Sequence, residues 1–415
     1  MTLPHYLLSE FEAIRSATMA LAEPLSDEDC CAQSMPEASP IKWHLAHTTW
    51  FFETFVLERF EVKFRPFHAS FRVLFNSYYN GIGNQYPRAR RGLITRPSLA
   101  EVEDYRSDVD ARISALLLIA AAAPTEQTQE LEALIILGMQ HEQQHQELML
   151  TDIKHLLWNN PLRPAYTPTP PPALLELDVP TLQWCPMDAG IVQIGHTGDN
   201  FHFDNELPRH RQFVESFELA SRLVTNGEYM KFMQAGAYQE SSLWLSEGWD
   251  WLHGTSGSIT HPLYWEQQDG QWQEFTLHGL RPLEPLHAAM HLSFFEADAY
   301  ARWAGARLPS EAEWESAVAA QAAQAHAAPL PNTPALLQLF DTAWQWTSSS
   351  YAPYPGFNAQ EGATGEYNGK FMVNQYVLRG ASCATPPDHS RISYRNFFPS
   401  NARWQFTAIR LARSV

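Results

Sequence analysis

Two histidines four residues apart, His141 and His145, stand in the run LGMQHEQQHQELMLTDIKH, Leu137 to His155. A helix advances about 100° per residue, so positions i and i+4 share a face and both imidazoles can reach one metal ion. The same letters spell HExxH, in which Glu142 would be the general base of a zinc hydrolase and the two histidines its ligands. A second reading makes the pair half of a mononuclear site that a third neutral imidazole completes, with the other side left open for substrates. Gln144 flanks the histidine face. Glu147 points away from it and reads as a supporting carboxylate or an ion-pair partner rather than a ligand. Upstream, WHLAH offers His44 and His47, three apart on adjoining helix faces, and spacing alone does not separate them.

These residues need rigid elements to hold them. Residues 1 to about 157 carry apolar positions at intervals of three and four in four segments, the pattern of a helical bundle. They are Leu7 to Leu21, a segment with Ser39 as N-cap and Pro40 at the first helical position, Leu99 to Ala123, and Glu126 to Trp158. Metal sites in bundles are built from facing helices, so the second and fourth segments are the natural pair. Between the second and third lies Glu61 to Pro97, an aromatic and basic connection too long for a simple bundle loop, and long loops in compact domains often carry function.

The prolines of Asn159 to Pro180 suit neither a helix nor a central strand, which marks a linker and a domain boundary. Beyond it, short apolar runs broken by Gly, Asn, Asp and Pro indicate a loop-rich α+β domain. Helices are expected at Asn226 to Gln234, Phe294 to Ala304 and within Ser310 to Ala320, followed by a low-complexity Ala/Gln/Pro segment, Ala319 to Ala335, as an exposed loop. No solenoid repeat is present.

With 415 residues there is room for two or three domains, and 45% hydrophobic and 13% aromatic content exclude wholesale disorder. A formal charge of −18 argues against nucleic acid or an anionic membrane surface as partner. The longest apolar run, Ala115 to Ala123, falls well short of the ~20 residues that span a bilayer. The N-terminal stretch MTLPHYLLSEFEAIR has no basic region followed by an apolar core. Cys30, Cys31, Cys185 and Cys383 lack both metal-ligand spacing and the density of a disulfide scaffold, so a reducing cytoplasm is expected.

The elements SPIKWHLAHTTWFFE and HEQQHQE, the latter an HxxxHxE pattern, resemble the nonheme iron sulfoxide synthases of ergothioneine biosynthesis, the EgtB type. So do FDNELPRH, LVTNGEYMKFM, RLPSEAEWE, WQWTSSSYAPYPGF, LRGASCAT and SYRNFFPSNARWQFTAIRLAR, which a metallopeptidase has no reason to carry. The resemblance covers nearly the full chain. It implies a DinB-like four-helix bundle over 1–158, a Pro-rich linker over 159–184, and over 185–415 a C-type-lectin-like domain similar to formylglycine-generating enzymes. It also implies Fe(2+) held by His47, His141 and His145, with His44 as a neighbour. Three positions depart from the family pattern: Gln345 stands where Glu is common, and Ala381 and Ala408 stand where Gly is usual, which bears on turn geometry.

The stretch LFNSYYNGIGNQYPRARRGLITRP resembles the branch in which a Tyr-Tyr pair and nearby arginines come from this loop and free cysteine is the sulfur donor. That implies Tyr78 or Tyr79 as proton donor and Arg88 and Arg91 as ligands of the donor carboxylate. Asn396 and Phe397 are implied in the pocket for hercynine, Nα-trimethylhistidine, and Gln144, beside the metal face, is a candidate for contacting its imidazole or side chain. Phe398 stands near where the γ-glutamylcysteine branch has an Asp, which argues against that larger donor. The implied reaction is O2-dependent and joins cysteine sulfur to C2 of the hercynine imidazole. A selenosugar donor, as in selenoneine synthases, and the HExxH zinc hydrolase are the rival readings.

Overall fold

The computed structural model describes residues 3–168, 179–254, 258–325, 334–359, 362 and 368–415. They fall into two compact units, one of residues up to Pro168 together with Ala384–His389, the other of residues from 179 through Ala359, Asn368–Cys383 and Ser390–Val415.

The first unit is helical. Its long helices are α1 (Leu3–Ala22), α2 (Ile41–Phe52), α3 (Leu99–Ala122) and α4 (Glu126–Asn159), and α1 and α2 each pack on both α3 and α4. Helix α3 starts at a capping box, where the Ser98 hydroxyl accepts from the Glu101 N–H and the Glu101 carboxylate accepts from the Ser98 N–H. Every residue of α2 is buried. A helix hydrophobic all round lies inside its fold, and this is why helix faces alone could not separate His44 from His47.

One boundary differs from expectation. Pro40, in extended conformation, is the N-cap of α2, and its carbonyl accepts from the N–H groups of Trp43 and His44. Ser39 is therefore no cap: its N–H donates to Asp152 Oδ2 at 2.8 Å, and its hydroxyl accepts from Arg91 at 2.9 Å. Past α2 the backbone widens into a π turn, Glu53–Leu57, which places the Glu53 carboxylate to accept from the Phe67 N–H and the Tyr105 hydroxyl. In α4, Gly138 allows close approach to α2, since a Cβ there would lie 2.4 Å from the Phe52 ring.

The second unit is built on small sheets. Strands β1 (Trp184–Met187), β4 (Phe217–Ala220) and β12 (Ala412–Ser414) form one, in the order β1-β4-β12. Strands β2 (Gly190–Ile194) and β3 (His210–Val214) form a hairpin, and β5 (Trp265–Gln268), β6 (Gln271–Thr276) and β7 (Gly279–Pro282) a meander. The fourth sheet runs β10-β9-β8-β11, from β8 (Trp344–Ser350), β9 (Tyr376–Arg379), β10 (Asn396–Phe398) and β11 (Thr407–Ala408). The longer helices of this unit are α5 (Asn226–Gln234), α6 (Phe294–Trp303) and α7 (Glu311–Ala325). Helix α7 runs into the segment expected as a loop, because alanine and glutamine are good helix formers and continue the helix through Ala325. The rest of that segment, 326–333, lies outside the described residues.

The three departures from the family pattern have physical accounts. Gln345 Oε1 accepts from Trp314 Nε1 and Arg410 Nε, both at 2.7 Å, and its Nε2 donates to the carbonyls of Gln338 and Leu339. A carboxylate could not make the last two bonds. Ala381 and Ala408 are buried and neither takes positive φ, so no glycine is needed at either place. Gly380 does need to be glycine: its φ is 96° and a Cβ would meet the Leu339 carbonyl oxygen at 2.4 Å.

Candidate metal centre

Helices α2 and α4 bring His47, His141 and His145 together, with one ligand atom from each lying within 4.8 Å of the others. The ring centroids of His47 and His141 are 5.0 Å apart, those of His47 and His145 4.8 Å, and those of His141 and His145 4.6 Å. All three side chains are buried. Burial pushes each imidazole below its usual range, His141 to about 3, and the crowding of the rings adds to the effect at His47 and His145. Neutral imidazole is the form that ligates a metal.

The orientation of His47 fits such a role. Its Nδ1 lies 2.6 Å from the Phe75 carbonyl oxygen, which can only accept, so Nδ1 carries the proton and Nε2 keeps its lone pair. That Nε2 is buried with no hydrogen-bond partner among the described residues, an uncompensated polar atom whose natural complement is a metal ion. Trp43 and Trp50 stack on the imidazole, with centroids at 4.4 and 5.5 Å and planes within 15°, and hold its plane. His44 is not in the trio. Its Nδ1 lies 2.8 Å from His145 Nδ1, and its Nε2 lies 3.1 Å from Asp152 Oδ2.

The hydrolase reading fails at Glu142. Burial alone would raise this carboxyl, but Arg15, Arg106 and Thr18 draw it down to about 2. It is wholly buried, with Oε2 accepting from Arg15 at 2.8 Å and Oε1 from Arg106 at 3.0 Å and Thr18 at 2.6 Å. A carboxylate so engaged has no room to activate water. It ties α1, α3 and α4 together instead. Glu147 accepts from the Thr385 hydroxyl at 2.8 Å. Gln144 is only partly buried, on the turn between the two α4 histidines.

The long connection reaches the same centre through Phe75. Asn76, fully buried, shapes the next turns of the chain: its Nδ2 donates to the carbonyls of Tyr79, Gly83 and Asn84, and its Oδ1 accepts from the Tyr79 N–H. Tyr79 is buried against Trp50 and Phe55, while Tyr78 stacks on it at 4.8 Å and stays partly exposed. Arg91 is no free arm. Its Nη1 and Nη2 donate to Ser39 and Ser77, and its guanidinium lies 3.3 Å over the Trp43 ring. Burial and the nearby Arg88 push its pKa down, and Arg88 itself is exposed.

Asn396 and Phe397 belong to β10 in the second unit, opposite Leu378 and Val377 of β9. Phe397 stacks on Tyr351 at 4.0 Å with planes 10° apart. Reading the sequence missed Asp152, Asn76 and Trp43. Asp152 stood seven residues past His145, two helical turns along the same face, and Asn76 was an Asx-turn residue in a loop, each a signal that could have been used.

A helical unit with a buried three-histidine centre, joined to a loop-rich α+β unit, defines a two-domain enzyme. Residues 10–149 match the DinB superfamily, and residues 184–328 the sulfatase-modifying factor enzyme 1-like domain. Hercynine oxygenase of Mycobacterium tuberculosis is 29% identical over the whole of both chains. Its namesake from Mycolicibacterium smegmatis is 29% identical over 99% of each. A formylglycine-generating enzyme of Streptomyces coelicolor is 28% identical over 29% of this chain and 41% of its own length. Over its full length the chain is similar to hercynine oxygenases, the EgtB type, and it is an oxygenase. Among the described residues no helix is long and apolar enough to cross a membrane.

Proposed function

We propose that this chain is an iron(II) sulfoxide synthase of ergothioneine formation, joining the sulfur of cysteine to C2 of the hercynine imidazole. The observation that carries the proposal is the buried trio of neutral imidazoles in a chain whose full length matches hercynine oxygenases. In the overall balance, thiol, imidazole C–H and O2 give the imidazolyl sulfoxide and one water, so the S–H and C–H hydrogens leave with the second oxygen atom. His47, His141 and His145 would hold the iron, and three neutral donors leave it its full 2+ charge and open positions. When bound, that ion activates O2 and lowers the pKa of a coordinated thiol from about 8.5.

The remaining work falls to side chains. Tyr78, the accessible member of the stacked pair, donates a proton, because a phenol of pKa ~10 is protonated at neutral pH. Tyr79 backs it in the core. Arg88, exposed three residues before the anchored Arg91, takes the cysteine carboxylate. Gln144 contacts the hercynine imidazole.

Anaerobic iron(II) loading followed by an oxygen-electrode assay tests the reading. O2 uptake that requires hercynine and cysteine together, and is weaker with γ-glutamylcysteine, is the expected result. Zinc retained through purification, with no O2 uptake from the iron-loaded protein, would overturn it.

A further inference from the structure

We infer that Asp152 and His44 form a relay that fixes the proton on His145 Nδ1 and so presents His145 Nε2 to the metal, making both of them positioning residues. The inference rests on the proposed metal centre and adds residues that neither touch the ion nor belong to the histidine trio.

Donors and acceptors along the chain of contacts decide where each proton sits. Asp152 Oδ2 receives the Ser39 N–H at 2.8 Å and faces His44 Nε2 at 3.1 Å. Oδ2 is already the acceptor for Ser39, and as an acceptor toward His44 too it sets the His44 proton on Nε2. A neutral imidazole with Nε2–H has a bare Nδ1, which must accept. The atom it meets, 2.8 Å away, is His145 Nδ1. His145 therefore donates from Nδ1, and its lone pair lies on Nε2. Had Asp152 been a donor, the order would reverse: His44 would donate from Nδ1, and the His145 proton would move to Nε2, where no metal could bind.

His47 reaches the same tautomer by a shorter route, through the Phe75 carbonyl. In both cases the group opposite the ligating nitrogen is built in, as partners of metal-bound histidines commonly are. The relay also extends outward. Ser39 holds Asp152 by its N–H and accepts from Arg91 by its hydroxyl, so the loop arginine and the ligand histidine lie on one continuous hydrogen-bonded path. His44, Asp152, Ser39 and Arg91 are all buried, so water does not compete for these bonds.

Cobalt(II) binding by the full-length metal-free protein, competed against a chelator and followed by its d–d bands, tests this without reference to turnover. His44→Asn keeps an acceptor oxygen near the position of Nδ1, whereas His44→Leu removes it. The expected affinities are near wild type for His44→Asn and about 10- to 100-fold weaker for His44→Leu, with altered d–d bands. Asp152→Ala, one bond further out, should lose about 10-fold and serves as the check if His44→Leu does not fold, judged by circular dichroism. Wild-type affinity and spectrum in His44→Leu or in Asp152→Ala would sink the relay, as would equal losses in His44→Asn and His44→Leu, the mark of simple packing. Failure of the wild-type protein to bind cobalt would overturn the metal centre as well.

Discussion

Glu142 illustrates how a motif letter and its chemistry come apart at the scale of a residue. Its position beside His141 is what HExxH demands, yet both oxygens are taken by Arg15, Arg106 and Thr18 inside the bundle. Removing one partner of a buried charge pair leaves the others uncompensated, which typically costs about 3–5 kcal/mol. Glu142→Gln should therefore lower stability by an amount of that order in a denaturant titration. A hydrolytic base would behave otherwise, leaving stability intact and removing only activity. Gln345 makes a matching case in the second unit. It satisfies Trp314, Arg410 and two carbonyls at once, so Gln345→Leu strands two buried donors, Trp314 Nε1 and Arg410 Nε. At about 1–3 kcal/mol for each unpaired group, several kcal/mol should be lost, visible as a fall in the denaturation midpoint. A change below about 1 kcal/mol would mean that those groups find other partners.

At the scale of elements, the centre depends on how closely α2 and α4 approach, and Gly138 sets that distance. A methyl group at 138 would stand 2.4 and 2.7 Å from atoms of the Phe52 ring and 3.1 Å from Phe51, whose ring lies 4.9 Å from that of His141. Gly138→Ala should raise intrinsic helix propensity by roughly 1 kcal/mol and still destabilise the protein, because overpacking of this kind typically costs about 1–3 kcal/mol. Its second effect should be weaker metal binding, since Phe51 and Phe52 cannot give way without shifting α2 and with it His47. Metal affinity unchanged in a destabilised variant would show that the two helices can part without disturbing the trio. The long helices were legible because their apolar positions recur at three and four, and in the structure α3 opens behind the Ser98–Glu101 capping box. The start of α2 was not, because Ser39 and Pro40 make a plausible cap and first residue in sequence, while Asp152, 113 positions away, takes the Ser39 N–H in space. The roles of Arg91 and His44 were illegible for the same reason, since each is fixed by partners on other elements.

On the scale of the molecule, each unit has its own interior, and the histidine trio lies wholly in the first. The second keeps a separate core around Trp314, Phe217, Leu219 and Ile194. An ion that binds the native trio and not the unfolded chain stabilises only what must be folded to hold it, by about 2.7 kcal/mol at a hundred times its dissociation constant. Scanning calorimetry of metal-free and metal-loaded protein should therefore move the melting of the helical unit upward by several degrees and leave that of the sulfatase-modifying-factor-like unit in place. His47→Ala removes one ligand and should abolish the shift, while leaving the second transition untouched. A metal-dependent shift of equal size in both transitions would show instead that the two units unfold as one cooperative body, and that the trio draws stability from residues far outside α2 and α4.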